Sequence, residues 1–296
     1  MRAGRVLAFL VAPLLLLLPL AEAPRAQESY RAGLERWRAE READLRAEDG
    51  WLSVVGLAWL RPGVNPAGRD PAAAVRLPAP APARLGVFHL EGTTVRFEPI
   101  DPGVRVNGAP AKAGVIRSDL ERPVDVITAG TLSLTVIRRG DRAGVRAKDR
   151  ASEKRRAYPA LKWYPARETW RVTARFVPHA PPRTIKIANV LGQLDDQPSP
   201  GYVVFTAGGR EQRLDALAGS SGGLFFILRD GTSGKTTYPA GRFLYTDAPR
   251  DGRVVLDFNK AENPPCAYTE FATCPLPPKQ NWLRVAIEAG EQYTEH

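Results

Sequence analysis

The sequence predicts a mainly β protein, with two antiparallel β units preceded by one amphipathic helix. Three observations carry this. From residue 50 onward the apolar residues come in short, strand-sized runs; Gly, Pro, Asn and Asp punctuate those runs; and no helical pattern of 10–15 residues separates them. Short strands with frequent turn signals point to antiparallel sandwiches or barrels rather than to parallel βαβ units. No period of 20–50 residues recurs, which excludes a solenoid or propeller.

The elements follow in order. Arg2 and Arg5 precede an apolar run from Val6 to Leu20, and Ala21, Ala23 and Ala26 follow it. That is the order of a secretory signal, assigned to residues 1–26. The run is interrupted by Pro13 and Pro19 and falls short of the roughly 20 residues a spanning helix needs. The expectation is therefore a periplasmic or secreted protein with no stable membrane anchor after cleavage.

Residues 27–49 place Tyr30, Leu34, Trp37 and Leu45 near helical spacing among dense charges, giving one amphipathic helix. Residues 50–149 read as a β-sandwich: "GWLSVVGLAWL", "GVFHL", "TTVRFEPI", "VRVNGAPA", "VDVITAG" and "TLSLTVIRRG" are each strand-sized. The charged, proline-bearing stretch "RASEKRRAYPALKWYP" at 150–165 reads as a linker. Residues 166–296 hold "TWRVTARFV", "RTIKIANVLG", "GYVVFTAGG", "GGLFFILRD" and "RVVLDFN", a second β sandwich or barrel that ends in a loop rich in Cys and Pro.

Both cysteines, Cys266 and Cys274, lie in that loop, between Pro264-Pro265 and Pro275-Leu276-Pro277. In an oxidising compartment a close pair reads as a disulfide, in a loop that the prolines keep from becoming a helix or central strand. Metal binding and a nucleophilic thiol are the competing readings. Only His89, His179 and His296 occur in the chain, none near the loop, so a four-ligand zinc site cannot be assembled there. No metal or cofactor is expected.

At 44% hydrophobic and 25% charged the chain is ordinary globular material. Its formal charge of +10 suits anionic surfaces or ligands. The arginines are scattered, however, without a run of five like charges or a basic-aromatic motif, so nucleic acid is not an expected partner.

Two motif spellings are set aside. Gly219-Ser220-Ser221-Gly222-Gly223 fits a nucleophile elbow, but a strand-like run follows where that chemistry needs a helix. Gly234-Lys235-Thr236 ends like a phosphate loop, yet Arg229 stands where the leading glycine belongs. Both read as turns.

The chemically interesting stretch lies between Arg229 and Asn263. Asp230, Thr232, Tyr238, Arg242, Asp257, Asn259 and Asn263 sit at strand ends and turns, where they can converge on a polar ligand. Arginine offers a planar fork for a carboxylate or phosphate. The competing reading is that Asp, Asn and Thr fold their own turns and that Arg242 pairs with Asp230 or Asp257.

The segments "GWLSVVGLAWLRPGVNPAGRD", "RDGTSGKTTYPAGRFL" and "DFNKAENPPCAYTEFATCPLPPKQNWLRVAIEAGE" resemble the domain of unknown function 1684 family of bacterial proteins. Glu262 stands where that family commonly has tyrosine, and Pro239 where it often has glycine. The resemblance implies kinship without a reaction, and it strengthens the case for a site among the seven residues. The first unit is also weakly similar to the forkhead-associated sandwich, through Gly68-Arg69 and Asn107-Gly108, although the Ser-x-x-His element of that fold is absent. Two functions follow as expectations: binding of a polar or anionic small molecule or envelope component through the second unit, or a hydrolase or lyase using Asp230 or Asp257 as acid or base with Tyr238 or Arg242 stabilising charge.

Overall fold

A computed structural model describes residues 29–294; residues 1–26, where the sequence predicts a secretory signal, and His296 lie outside them. Helix α1 (Tyr30–Arg46) opens the described chain, capped by Ser29, whose Oγ accepts from the Ala32 amide. Leu34 and Leu45 are its buried residues, and its arginines face outward or across to the second unit.

The first unit contains strands β1 (Val54–Trp59), β2 (Gly63–Gly68), β3 (Val75–Arg76), β4 (Gly86–Glu91), β5 (Thr94–Pro99), β6 (Arg105–Val106), β7 (Ala109–Pro110), β8 (Gly114–Val115), β9 (Ile127–Ala129), β10 (Leu132–Arg139) and β11 (Arg142–Asp149). They form two sheets, β1-β11-β10-β9-β6-β7 and β3-β2-β4-β5-β8, antiparallel except for the short parallel contact of β2 with β3. Alternation makes the sandwich. Phe88 and Leu90 of β4 and Val95 and Phe97 of β5 point inward, against Leu132, Leu134, Val136 and Val145 of the opposite sheet. Burying each large side chain of this kind contributes on the order of 1.5–3 kcal/mol.

A short helix, α2 (Glu153–Ala157), follows, and the chain then pairs with the C-terminal tail at Trp163. The second unit is one six-stranded sheet of β12 (Arg171–Ala188), β13 (Leu194–Ala207), β14 (Arg210–Ala218), β15 (Leu224–Leu228), β16 (Arg242–Thr246) and β17 (Arg253–Asp257), in the order β16-β15-β14-β13-β12-β17. Its edge strands β16 and β17 approach each other, so the sheet curls into half a barrel. Phe226, Leu244, Leu256 and Phe258 fill the inside together with Leu283, Ile287 and Ala289 of the tail. On the outer face, Ile187, Ile227 and Phe243 are covered by Ala272 and Cys274 of the loop, and Trp51 reaches in from the first unit. Cys266 and Cys274 form a disulfide, with Cα atoms 6.2 Å apart.

Candidate functional site

The seven predicted residues do not form one cluster. Asp230 ends β15 in a tight turn, where Oδ1 accepts from the Thr232 amide at 2.8 Å, the Thr232 hydroxyl at 2.6 Å and the Ile287 amide at 3.2 Å. Its Oδ2 accepts from Nη2 of Arg242 at 2.8 Å, and both side chains are fully buried. Arg242 also donates to the carbonyls of Ile287 and Ala289. Gly241 makes this approach possible: its φ is +100°, and a Cβ there would lie 2.4 Å from the Leu228 carbonyl oxygen. The knot ties the tail to the sheet and is spent on structure.

Asp257 and Asn259 are spent in a second place. Asp257 accepts from the Tyr30 hydroxyl at 2.9 Å and from the Asn259 amide at 3.2 Å. Asn259 brackets Arg167, donating to its carbonyl at 2.8 Å and accepting from its amide at 3.1 Å. Burial, then the Asp257 hydrogen bond, raise the Tyr30 phenol. These groups clasp the start of α1 to the second unit.

Asn263 lies at a third place, a cleft of about 90 Å³ whose lining includes Tyr158, Leu161, Lys162, Asn263, Gln292 and Tyr293, and Tyr238 stands behind Tyr293. Asn263 donates through Nδ2 to Glu291 at 3.0 Å and to the Gln292 carbonyl at 3.1 Å, while its Oδ1 is buried without a partner. Tyr238 donates to the Cys266 carbonyl at 3.1 Å and meets Tyr293 edge-on at 4.9 Å.

Behind this cleft lie four residues that the sequence reading missed as site residues: Arg41, Glu262, Tyr268 and Glu291. Short extended segments position them. Glu262 pairs with Phe243 of β16 through both backbone groups, Glu291 donates its amide to the Ala261 carbonyl, and Trp163 bridges to Glu291. Gly290, at φ +80° and within 2.4 Å of the Ala261 carbonyl if a Cβ were present, lets the tail approach that closely. Arg41 lies 3.3 Å from Glu262 and 4.0 Å from Glu291, and it donates to the Asn263 carbonyl. Tyr268 donates to Glu291, whose side chain is 1% exposed.

Burial raises Glu262 to about 7, against the pull of Arg41, and pushes Glu291 and Tyr268 upward as well. For Arg41 burial acts downward, but Glu262, Tyr268 and Glu291 hold its charge above the ordinary range. The folded state thus keeps the Glu262 proton up to about pH 7, whereas an unfolded glutamate releases it near pH ~4.3. The folded state binds more protons across that window, so stability falls as pH rises through it. We expect the native chain to be more stable at pH 5 than at pH 8, and Glu262→Gln to flatten that difference by on the order of 2 kcal/mol. Denaturant unfolding of both proteins at the two pH values checks this; parallel pH profiles would refute it.

An opening that sets an exposed indole among cationic groups lies elsewhere on the second unit. A groove of about 460 Å³ is lined by Lys186, Leu194, Arg229, Pro277, Lys279 and Trp282, among others. Pro278 lines it too, and the segment carrying Trp282 is held just past the end of β15, with the Leu283 amide donating to the Arg229 carbonyl at 2.8 Å. Trp282 is 50% exposed, and the Arg229 guanidinium stands 5.0 Å over its ring. Lys186 pairs with Asp196 at 3.0 Å, while Arg229 and Lys279 have no ion pair among the described residues. Of these residues, the sequence signalled only Arg229, as the edge of the polar stretch.

Among the described residues no three His, Cys, Asp or Glu side chains are grouped to hold a metal ion, and no helix is long and apolar enough to cross a membrane. Residues 156–292 match the family described as a protein of unknown function, DUF1684. The chain belongs to this family. The DUF1684 match spans the last two residues of α2, the half-barrel, the disulfide loop and all of the groove and cleft residues named above except Arg41 and Tyr293, and it leaves β1 to β11 outside. Among solved structures, an uncharacterized protein of Haloarcula marismortui, determined in solution by NMR, is similar: it is 32% identical over 49% of this DUF1684 chain and 82% of its own length, with a TM-score of 0.41. No curated protein matches.

Proposed function

We propose that the chain is an exported, noncatalytic binding protein whose second unit takes an anionic ring-bearing small molecule or envelope component, of which an anionic saccharide is the best fit. The observation that carries this reading is the half-exposed indole of Trp282 beside two unpaired cations, Arg229 and Lys279, in one groove. An indole face stacks on the apolar face of a ring, and the arginine fork accepts a carboxylate or sulfate. Export is supported by the order of charge, apolar run and small residues in the first 26 positions. Asp230, Arg242, Asp257 and Asn259 leave the proposed site, because each is hydrogen-bonded within the chain, Arg242 through both terminal nitrogens of its guanidinium.

Tryptophan fluorescence titration with uronic-acid and sulfated oligosaccharides, against neutral ones of equal length, tests the reading. Anionic ligands should bind with an affinity that falls with salt. Arg229→Gln and Trp282→Ala should each weaken binding by about tenfold, corresponding to ~1.4 kcal/mol. Equal binding of neutral and anionic ligands, or unchanged binding by both variants, would overturn it.

An acid–base enzyme is the second reading, favoured by one observation: Glu262 titrates at about 7 with its side chain 15% exposed, beside Arg41. A carboxylic acid poised near neutrality suits proton transfer. Any turnover at this centre should follow a titration near pH 7 and vanish in Glu262→Gln.

A further inference from the structure

The outward face of the first unit's larger sheet carries a buried cation without a counter-ion among the described residues. Lys148 and Arg146 alternate along β11 with the inward Ala147 and Val145, opposite Ser133 and Thr135 of β10. Arg146 is only 7% exposed, lies 5.1 Å over the Trp51 ring, and has Nε and Nη2 buried with no hydrogen-bond partner. Those two atoms form one edge of the guanidinium, the edge that grips two oxygens of a planar or tetrahedral anion side by side.

The neighbouring acid is already committed. Asp119 accepts from the Arg138 amide at 2.9 Å and from Nη1 of Arg139 at 2.7 Å. Arg139 reaches on to the Thr273 hydroxyl at 2.8 Å, which places the disulfide loop over this region. Lys148 donates to the Asp49 carbonyl and brings a third positive charge. A buried, unpaired guanidinium among other cations is costly, and an aromatic face offsets only part of that cost. Burial, then Arg139, push Arg146 down to about 10.

We propose that Arg146 and Lys148 form an anion site at the junction of the two β units, taking a small inorganic oxyanion such as phosphate or sulfate. The anion supplies the two acceptors that the Nε–Nη2 edge lacks and neutralises the row of cations under the loop. This site is separate from the groove at Trp282 and does not depend on it.

Thermal unfolding of the purified protein in phosphate, sulfate or chloride at matched ionic strength tests this. Phosphate or sulfate should raise the midpoint saturably, as expected for a ligand of the folded state, and chloride should not. Arg146→Lys keeps the charge but loses the paired edge and should abolish the response. Lys148→Met, on the more exposed neighbour, should weaken the apparent affinity about tenfold and decides the matter if Arg146→Lys does not fold. Arg229→Gln should respond like the native chain. Equal effects of chloride and phosphate, or a native response from Lys148→Met together with any folded Arg146→Lys protein, would overturn the site.

Discussion

Asp230→Ala is expected to destabilise the protein by about 3–5 kcal/mol, the range for removing one partner of a buried ion pair and leaving the other charge unpaired. Arg242 is fully buried, so its guanidinium has no route to water. The same change strips acceptors from the buried Thr232 and Ile287 amides, leaving both donors unsatisfied, and leaves the Thr232 hydroxyl only Thr237 as a partner. A double variant that also carries Arg242→Met should recover part of the loss by removing the orphaned charge. Recovery stays incomplete, because the carbonyls of Ile287 and Ala289 lose their donor. The measurement is the urea midpoint at unchanged slope; a loss below about 1 kcal/mol, typical of a surface pair, would contradict the knot.

The second large effect concerns Cys266 and Cys274. Their separation of 8 residues closes a short loop, and the loop-closure estimate gives about 2–3 kcal/mol for replacing both by alanine. The loss should spread beyond the loop. Tyr268, within it, packs with Leu45 of α1 and Leu52, and Tyr238 holds the Cys266 carbonyl. Hydrogen exchange in α1 should therefore accelerate in the double variant, and reductant should lower the melting temperature of the native chain while leaving that of the variant unchanged. Unaltered exchange in α1 would show that the loop and the helix are independent.

The architecture was legible because its signal is local. In "GVFHLEGTTVRFEP" the alternation of Phe88 and Leu90 with His89, and of Val95 and Phe97 with Arg96, states which face is inside before any partner is known. The turn reading of Gly219–Gly223 rests on the same kind of signal: Ser221 sits at φ +51° and β15 follows directly. The candidate site was legible only as a set of residue types. Asp230 and Asn259 look free in a linear reading; the groups that occupy them, Ile287 and Tyr30, stand 57 and 229 positions away. Arg41 is one of many arginines in α1, and nothing in its spacing distinguishes it from Arg36, which is exposed. Trp282 carries no mark in the linear chain, because exposure is a property of the finished surface. Glu262 lay inside the polar stretch without being singled out as a site residue, and burial beside Arg41 and Glu291 gives it its chemistry.

Helix α1 is fastened by residues that lie far along the chain: Arg46 to the Tyr158 carbonyl and Arg38 to the Tyr164 carbonyl, then Tyr30 to Asp257, 227 positions on, and Arg41 to Asn263 and Glu291. At about 5–20 residues added per second, roughly 10–45 s separate the emergence of the helix from that of its last anchors. For that interval Leu45 lacks Tyr268, part of its native seat, which makes the nascent segment a natural client for holding chaperones. It also means that a stop codon in the last few dozen positions would be felt first at the opposite terminus.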